Sequence, residues 1–563
     1  MALRTLYQTL LDSDLARLRV IAQQWSITLL AERRADLAAE LADAMARVEA
    51  VDRVWEELPE DQRAALYDLQ RHGGARPWAV FTRRWGQIRP VGPGRLERES
   101  LWREPISPAE GLWYLGLVQR AFDPRPSGAV EMAFVPDELA LYLPEPPPHH
   151  VPPPEPTPPP RHVIAGDDGL ADDLVTLWAA LRQRALPPDA ERHDAPVRAQ
   201  CHAPAAPRLA LLKTLAVEQG WLHRDEDNRL HLSPEPTLAW LQSEAWAQWA
   251  TLAQAWMTSA GWNDLAHVPT LRLDPPKAWP NDPLTSRRAF LDILRQCAPG
   301  VWYDLADFVA YARAHATDFL RPDGDYESWP LRDAQTCAAL RGFDHWDAVE
   351  GALVAHYLTG PLTWLGWLDL GRVDPAFPPG AFRLNAAGAA FLELGDPPAL
   401  AAPDPVAVLA DGGLRVSARR RYGRFQLSRV AQFAAWDGAS YIYRLTPRSL
   451  ARAAQQRITV PRILSFLEEA TGQPLPDTLR AAIQNAAQSD EAARLERVWL
   501  LRVPDPAALA APGIQRCVVE TLAPGVALIR HRDKARVLTL LLQAGILPDV
   551  QESGREAALS EPR

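Results

Sequence analysis

The chain is poor in cysteine and almost without lysine. Its four cysteines, Cys201, Cys297, Cys337 and Cys517, form no C-x-x-C pair, so neither a disulfide framework nor a zinc ribbon is expected. Only Lys213, Lys277 and Lys534 are lysines among 60 basic residues; the other 57 are arginines. That usage, with abundant Ala and Pro, looks like a GC-rich bacterial coding sequence and weakens any inference from Arg frequency alone. A phosphate-binding loop G-x-x-x-x-G-K-[ST] is absent, because the three lysines follow Leu212, Pro276 and Asp533, and the loop needs its Lys after Gly to reach the β- and γ-phosphates. H-E-x-x-H and G-x-S-x-G are missing too. No apolar run approaches the ~18 residues of a membrane span, and the first residues contain no apolar signal region. The expectation is a cytoplasmic, non-enzymatic protein without cofactor, metal or membrane contact.

What is present is ample. The chain has 563 residues, which suits three or four domains. Its 47% apolar and 23% charged content is that of a globular protein. The net charge of −10 excludes a uniformly basic nucleic-acid coat but not a local basic face. The sharpest boundary is Pro144 to Pro160, with 11 prolines in 17 residues. Such a run favours polyproline II and reads as a stiff spacer, or as a docking segment for an aromatic groove.

Residues 1–143 read as helical at first, with Leu37, Leu41, Met45 and Val48 in one apolar stripe. A helix after Pro59 ends at Gly73-Gly74, and Ser107-Pro108-Ala109-Glu110 is a capping box opening another. The apolar run Val130 to Val135 follows. This order suits a winged-helix-like unit. It recurs after residues 144–162. There Arg208 to Glu218 reads as a helix, and Trp221-Leu222-His223 and Leu230-His231-Leu232 flank a polar turn. A third copy spans Trp346 to Leu358 as helix, with Trp364 to Leu370 and Phe382-Arg383-Leu384 as strands. Residues 163–400 therefore make a middle region of one or two units. In residues 401–552, Asp411-Gly412-Gly413 marks a hairpin. Leu427 to Trp436 reads as a helix with Ser428 as N-cap, Tyr441 to Leu445 as a strand, and Thr446-Pro447 as a helix start. Ile463 to Ala470 reads as a helix ending at Gly472. Strands at Val498 to Val503 and Val526 to Arg530 and a helix from Lys534 to Ala544 complete the region. Residues 553–563 read as a disordered tail. The fold class is α+β, predominantly helical, with tandem winged-helix-like units and a C-terminal α/β domain.

Most chemically suggestive residues have ordinary readings. Asp225 to Asn228 is a solvated hairpin tip. His149, His150 and His162 lack supporting ligands at metal spacing. Trp246, Trp249 and Trp256 follow helical spacing and suit packing more than base stacking. Two basic runs are different. Between Arg71 and Arg103, eight arginines face two glutamates; between Asp411 and Arg462, eleven arginines face two aspartates. Both interleave aromatics, Trp78, Phe81 and Trp85 in one, Tyr422 and Phe425 in the other. Guanidinium planes and rings are what a phosphate backbone and exposed bases need. Arg83, Arg84, Arg89, Arg419, Arg420, Arg421 and Arg424 are the candidate nucleic-acid contacts. The alternative is that these arginines pair with acids of the chain or of a protein partner.

The second run leads into Tyr443-Arg444-Leu445-Thr446-Pro447, Ser449-Leu450, Ile463-Leu464, Phe466-Leu467 and Leu475-Pro476. With the ending Gly545-Ile546-Leu547-Pro548, these resemble the N-terminal domain of XPB-type DNA helicases, which also occurs in bacterial helicase-associated proteins. The resemblance covers about 150 residues and implies a DNA-associated accessory domain. The helicase motor is absent, so ATP hydrolysis is not implied and any helicase would be a separate partner. The expected ligand is DNA, duplex or forked, bound with little sequence preference. A protein-interaction scaffold is the alternative function.

Overall fold

The computed structural model describes residues 4–125, 128–148, 150–187, 191–274, 279, 281–488 and 498–550. Helices take up about 48% of the chain and strands 15%, an α+β fold dominated by helix. The chain divides into two compact units, Met1–Pro476 and Asp477–Arg563. The division falls inside residues 401–552. His149 and the tail 553–563 lie outside the described residues.

The first unit contains separate hydrophobic cores. One gathers residues between Leu6 and Leu143. Another, rich in tryptophan, runs from Leu170 to Leu392 and recruits Phe425 from farther along the chain. Leu37, Leu41 and Met45 are buried as their spacing predicts, but Val48 is exposed, because one helix ends at Met45 and the next begins at Val48. In the second core Trp178, Trp221 and Trp240 meet edge to face. Trp249 and Trp256 are buried, and Trp246 stacks on Phe391. The helical spacing of these residues is thus used for packing.

One strand order recurs. A first short strand pairs antiparallel with the second strand of a later hairpin. Ala75–Pro77 pairs with Gly128–Phe134, which is hairpinned to Gln119–Arg125. Leu186 bridges Leu230 beside the hairpin Leu222–Arg224 and Leu230–Leu232. Trp302–Asp304 pairs with Ala381–Leu384, which is joined to Leu368–Arg372. The second unit repeats the order with Val498–Arg502, Val526–Arg530 and Val518–Ala523. Residues 364–370 are not one strand: Pro361–Trp364 is helical, and the strand starts at Leu368.

Residues 407–476 differ. Ala407–Val408, Leu414–Ser417, Ser440–Arg444 and Gln432–Trp436 form a four-stranded antiparallel sheet in that order. The helix expected over 427–436 is displaced. Arg421–Leu427 is helical, and Gln432–Trp436 is an edge strand against Ser440–Arg444. Helices Pro447–Gln455 and Val460–Thr471 follow. Thr446 and Ser449 form a reciprocal capping box on the first, and Gly472 closes the second in the left-handed region.

The proline-rich segment is a strap, not a free spacer. Pro154 is buried. The Thr157 amide donates to the Trp302 carbonyl at 2.8 Å, and the Tyr311 hydroxyl donates to the Pro152 carbonyl at 2.9 Å. At its start, Gln70 and Arg71 donate to the carbonyls of Pro144 and Pro147. A chain with few amide donors still presents carbonyls, and neighbouring side chains bind those.

Candidate nucleic-acid interface

Arg421 and Arg424 are three residues apart on the helix Arg421–Leu427, so they share a face. That face is turned inward. It meets Asp168, Asp172 and Thr176, which lie at four-residue intervals at the start of the helix Gly169–Gln183. Arg421 donates through Nη2 to Asp168 at 2.5 Å and through Nε to Asp172 at 2.9 Å. Its Nη1 donates to Gln248 at 2.9 Å. Arg424 donates to Thr176 at 2.9 Å, and its guanidinium lies 3.4 Å from the centre of the Tyr441 ring. Both arginines are 1% exposed. Burial alone would lower Arg421; the facing carboxylates outweigh it and hold the guanidinium above its ordinary value.

Arg421 and Arg424 are therefore withdrawn as nucleic-acid contacts. They clasp residues 407–476 to the middle region. The physical reason is pairing: two buried carboxylates without cations would be far costlier than the pair.

The first run is similarly engaged. Arg89 forms a two-pronged contact with Glu110, Nε to Oε1 at 2.8 Å and Nη2 to Oε2 at 2.7 Å. Glu110 is fully buried and also accepts from the amides of Arg89 and Ile106. These donors overcome its burial and hold its carboxyl below the usual range. Arg83 pairs with Asp318 and lies 4.7 and 4.9 Å from the rings of Tyr326 and Phe343. Arg83 and Arg89 are thus internal braces, not a surface. Arg84 is half-exposed, 3.7 Å from Asp68, which is already held by Arg76 and Trp85.

What remains open is a cleft of about 890 Å³ beside the clasp. Arg419, Arg420, Arg429 and Arg462 line it with Tyr422, Phe466 and Glu469. Three of these arginines are tethered through Nε alone: Arg419 to Asp168 at 3.0 Å, Arg420 to the Asp404 carbonyl at 2.7 Å, and Arg429 to Gln456 at 3.4 Å. Their Nη groups have no hydrogen-bond partner among the described residues. Arg462 is exposed and makes no ion pair among them. Tyr422 is 42% exposed. Anchoring at Nε leaves the terminal nitrogens able to meet an anion while restricting the side chain. Of the sequence candidates, Arg419, Arg420 and Arg421 border this cleft, but Arg421 is committed to the clasp and only Arg419 and Arg420 keep terminal nitrogens for it. Arg429 and Arg462 were visible only as members of the run. Sequence reasoning singles out neither Asp168 nor Asp172; a charge inside the apolar run GLADDLVTLW signals a buried partner for Asp172, but Asp168 precedes that run.

The helix immediately before each of the three recurring hairpins of the first unit is largely covered. Pro108–Tyr114 and Pro361–Trp364 have no exposed residue, and Ala206–Glu218 exposes only its two ends. No group of three or more His, Cys, Asp or Glu side chains suited to a metal ion occurs among the described residues. No helix among them is long and apolar enough to cross a membrane.

Residues 407–523 match the family described as helicase conserved C-terminal domain. The match contains Arg419, Arg420, Arg429 and Arg462 of the cleft, and it runs through the boundary between the two units. It makes this segment a helicase-associated domain. No curated protein is significantly similar to the chain.

Proposed function

We propose that the protein is a non-enzymatic nucleic-acid-binding or helicase-accessory protein, and that its contact surface is the cleft formed by Arg419, Arg420, Arg429 and Arg462. The observation that carries this reading is the location of four outward-reaching guanidinium groups, with Tyr422 beside them, inside the segment that matches a helicase-associated family. The recurring strand order supports tandem winged-helix-like units. With the helices before their hairpins buried, these units act as a body holding the cleft, and the contact is to backbone and exposed bases, not to a groove. The resemblance of residues 443–476 to the XPB-type N-terminal domain favours DNA as ligand and a separate helicase as partner.

Fluorescence anisotropy with labelled duplex and forked DNA tests this. Neutralising ~4 phosphates gives a log–log salt slope of about −3.6 on duplex. Arg420→Glu with Arg462→Glu should shrink that slope by about 2. Absence of binding at micromolar protein and low salt overturns the reading.

A protein-interaction scaffold is the second reading. It is favoured by the internal use of Arg83, Arg89, Arg421 and Arg424. A pull-down whose partners survive nuclease treatment supports it over direct DNA contact.

A further inference from the structure

A second cavity lies on the other side of the clasp. It encloses about 500 Å³ between the helices Gly169–Gln183 and Glu191–Arg198 and the sheet and helix of residues 432–455. Its charged and ionisable lining is one-sided. Arg184, Arg448, Arg452 and His193 line it, and none of its described lining residues is Asp or Glu. In a chain with 70 acidic residues, three arginines and no carboxylate among the described lining residues make an unbalanced site.

Two of its polar groups are unfinished. The Tyr441 hydroxyl and Arg452 Nε are buried without a hydrogen-bond partner. Arg452 spends its other nitrogens on Gln183 at 3.0 Å and on the carbonyls of Ser428 and Ala431 at 3.4 Å. Burial and the nearby Arg448 push it below its ordinary value, the mark of a cation without a counter-ion. Arg448 is exposed and has no partner among the described residues. It lies four residues from Arg452 on the helix Pro447–Gln455, so the two share a face. Arg184 donates to His193 Nδ1 at 2.6 Å. Phe433 and Tyr443 supply aromatic wall.

Arginine clusters recognise phosphate oxygens through paired N–H donors. Aromatic rings take the flat face of a base. A volume of this size is that of a small-molecule site. We propose that this pocket binds a phosphomonoester carried on a planar ring, the chemistry of a nucleotide, either free or at the 5′ end of a DNA strand. It shares no arginine with the cleft, so the proposal stands independently of duplex binding.

Isothermal titration of the full chain with AMP, with a 5′-phosphorylated oligothymidylate and with inorganic phosphate tests this, each in EDTA. The expected result is saturable binding of AMP, of the oligonucleotide, or of both. AMP alone identifies a free nucleotide; a phosphorylated strand bound more tightly than the same strand without its 5′-phosphate, with the difference lost in Arg448→Glu, identifies a strand end. Arg448→Glu should weaken that binding at least about tenfold, the loss of one charge-assisted contact, with the thermal midpoint unchanged. Arg448→Gln and Phe433→Leu provide milder variants. The proposal fails if neither ligand binds at millimolar concentration. It also fails if inorganic phosphate binds as tightly as AMP, or if the Arg448 variants bind like the parent.

Discussion

Arg421 shows how a residue type can mislead about its task. The guanidinium satisfies Asp168, Asp172 and Gln248 together. Arg421→Met is expected to cost about 3–5 kcal/mol, because it leaves buried carboxylates short of a cation. Urea unfolding measures this, and adding Asp172→Leu should recover part of the loss. A midpoint unchanged by Arg421→Met would show that the clasp carries no stability. His356 makes a second prediction. It is buried with Nε2 unpartnered, and burial pushes it down to about 4. The unfolded imidazole titrates near 6.5, so the unfolded state takes up the proton first as pH falls. Stability present above pH 6.5 is lost as pH drops toward 4, by up to about 3 kcal/mol from this residue. His356→Leu should flatten that acid limb. An identical pH profile in the variant would remove His356 as its source.

Among the elements, the strap offers a clean measurement. The Thr157 amide donates to the carbonyl of Trp302, a buried residue, whereas the amides of Val151 and Glu155 have no such bond among the described residues. Hydrogen exchange at Thr157 is expected to be the slowest of the three; equal rates would mean that the strap is undocked in solution. Its docking was not legible in its composition, which specifies polyproline II but not what lies beside it. Local signals decide the structure elsewhere. Thr446-Pro447 opens a helix and Gly472 closes one, because caps and left-handed glycines act within a turn of themselves. The hairpin around Asp411-Gly412-Gly413 is present for the same reason. Residues 427–436 have helical spacing, yet 432–436 form an edge strand, because pairing with Tyr441 and Tyr443 across a turn sets it, a demand its own periodicity does not carry. The cleft was partly legible, since Arg419 and Arg420 reach it. The fate of Arg421 and Arg424 was not, because their partners lie about 250 residues earlier in the chain.

At the scale of the whole molecule, arginine plays two parts. Some guanidinium groups, as in Arg287 with Asp264 and Arg208 with Asp173, sit inside the middle region and hold its elements together. Others, in the cleft, are left with their outer nitrogens uncommitted. A chain of net −10 can do both because its buried acids take up the first group fully, whereas in the cleft Asp168 holds Arg419 only through Nε. The clasp also has a temporal side. Asp172 leaves the ribosome 249 residues before Arg421, which at ~5–20 residues per second is a wait of about 12–50 seconds. Throughout that interval the acids must stay hydrated, so the beginning of the helix Gly169–Gln183 cannot be sealed. Nascent chains stalled before residue 419 should be cut by protease near Asp168, and chains stalled well past residue 476 should resist. Equal resistance at both lengths would mean that something other than the late-arriving arginines closes the joint. These late-arriving cations thus act as a latch on a seam opened much earlier in translation.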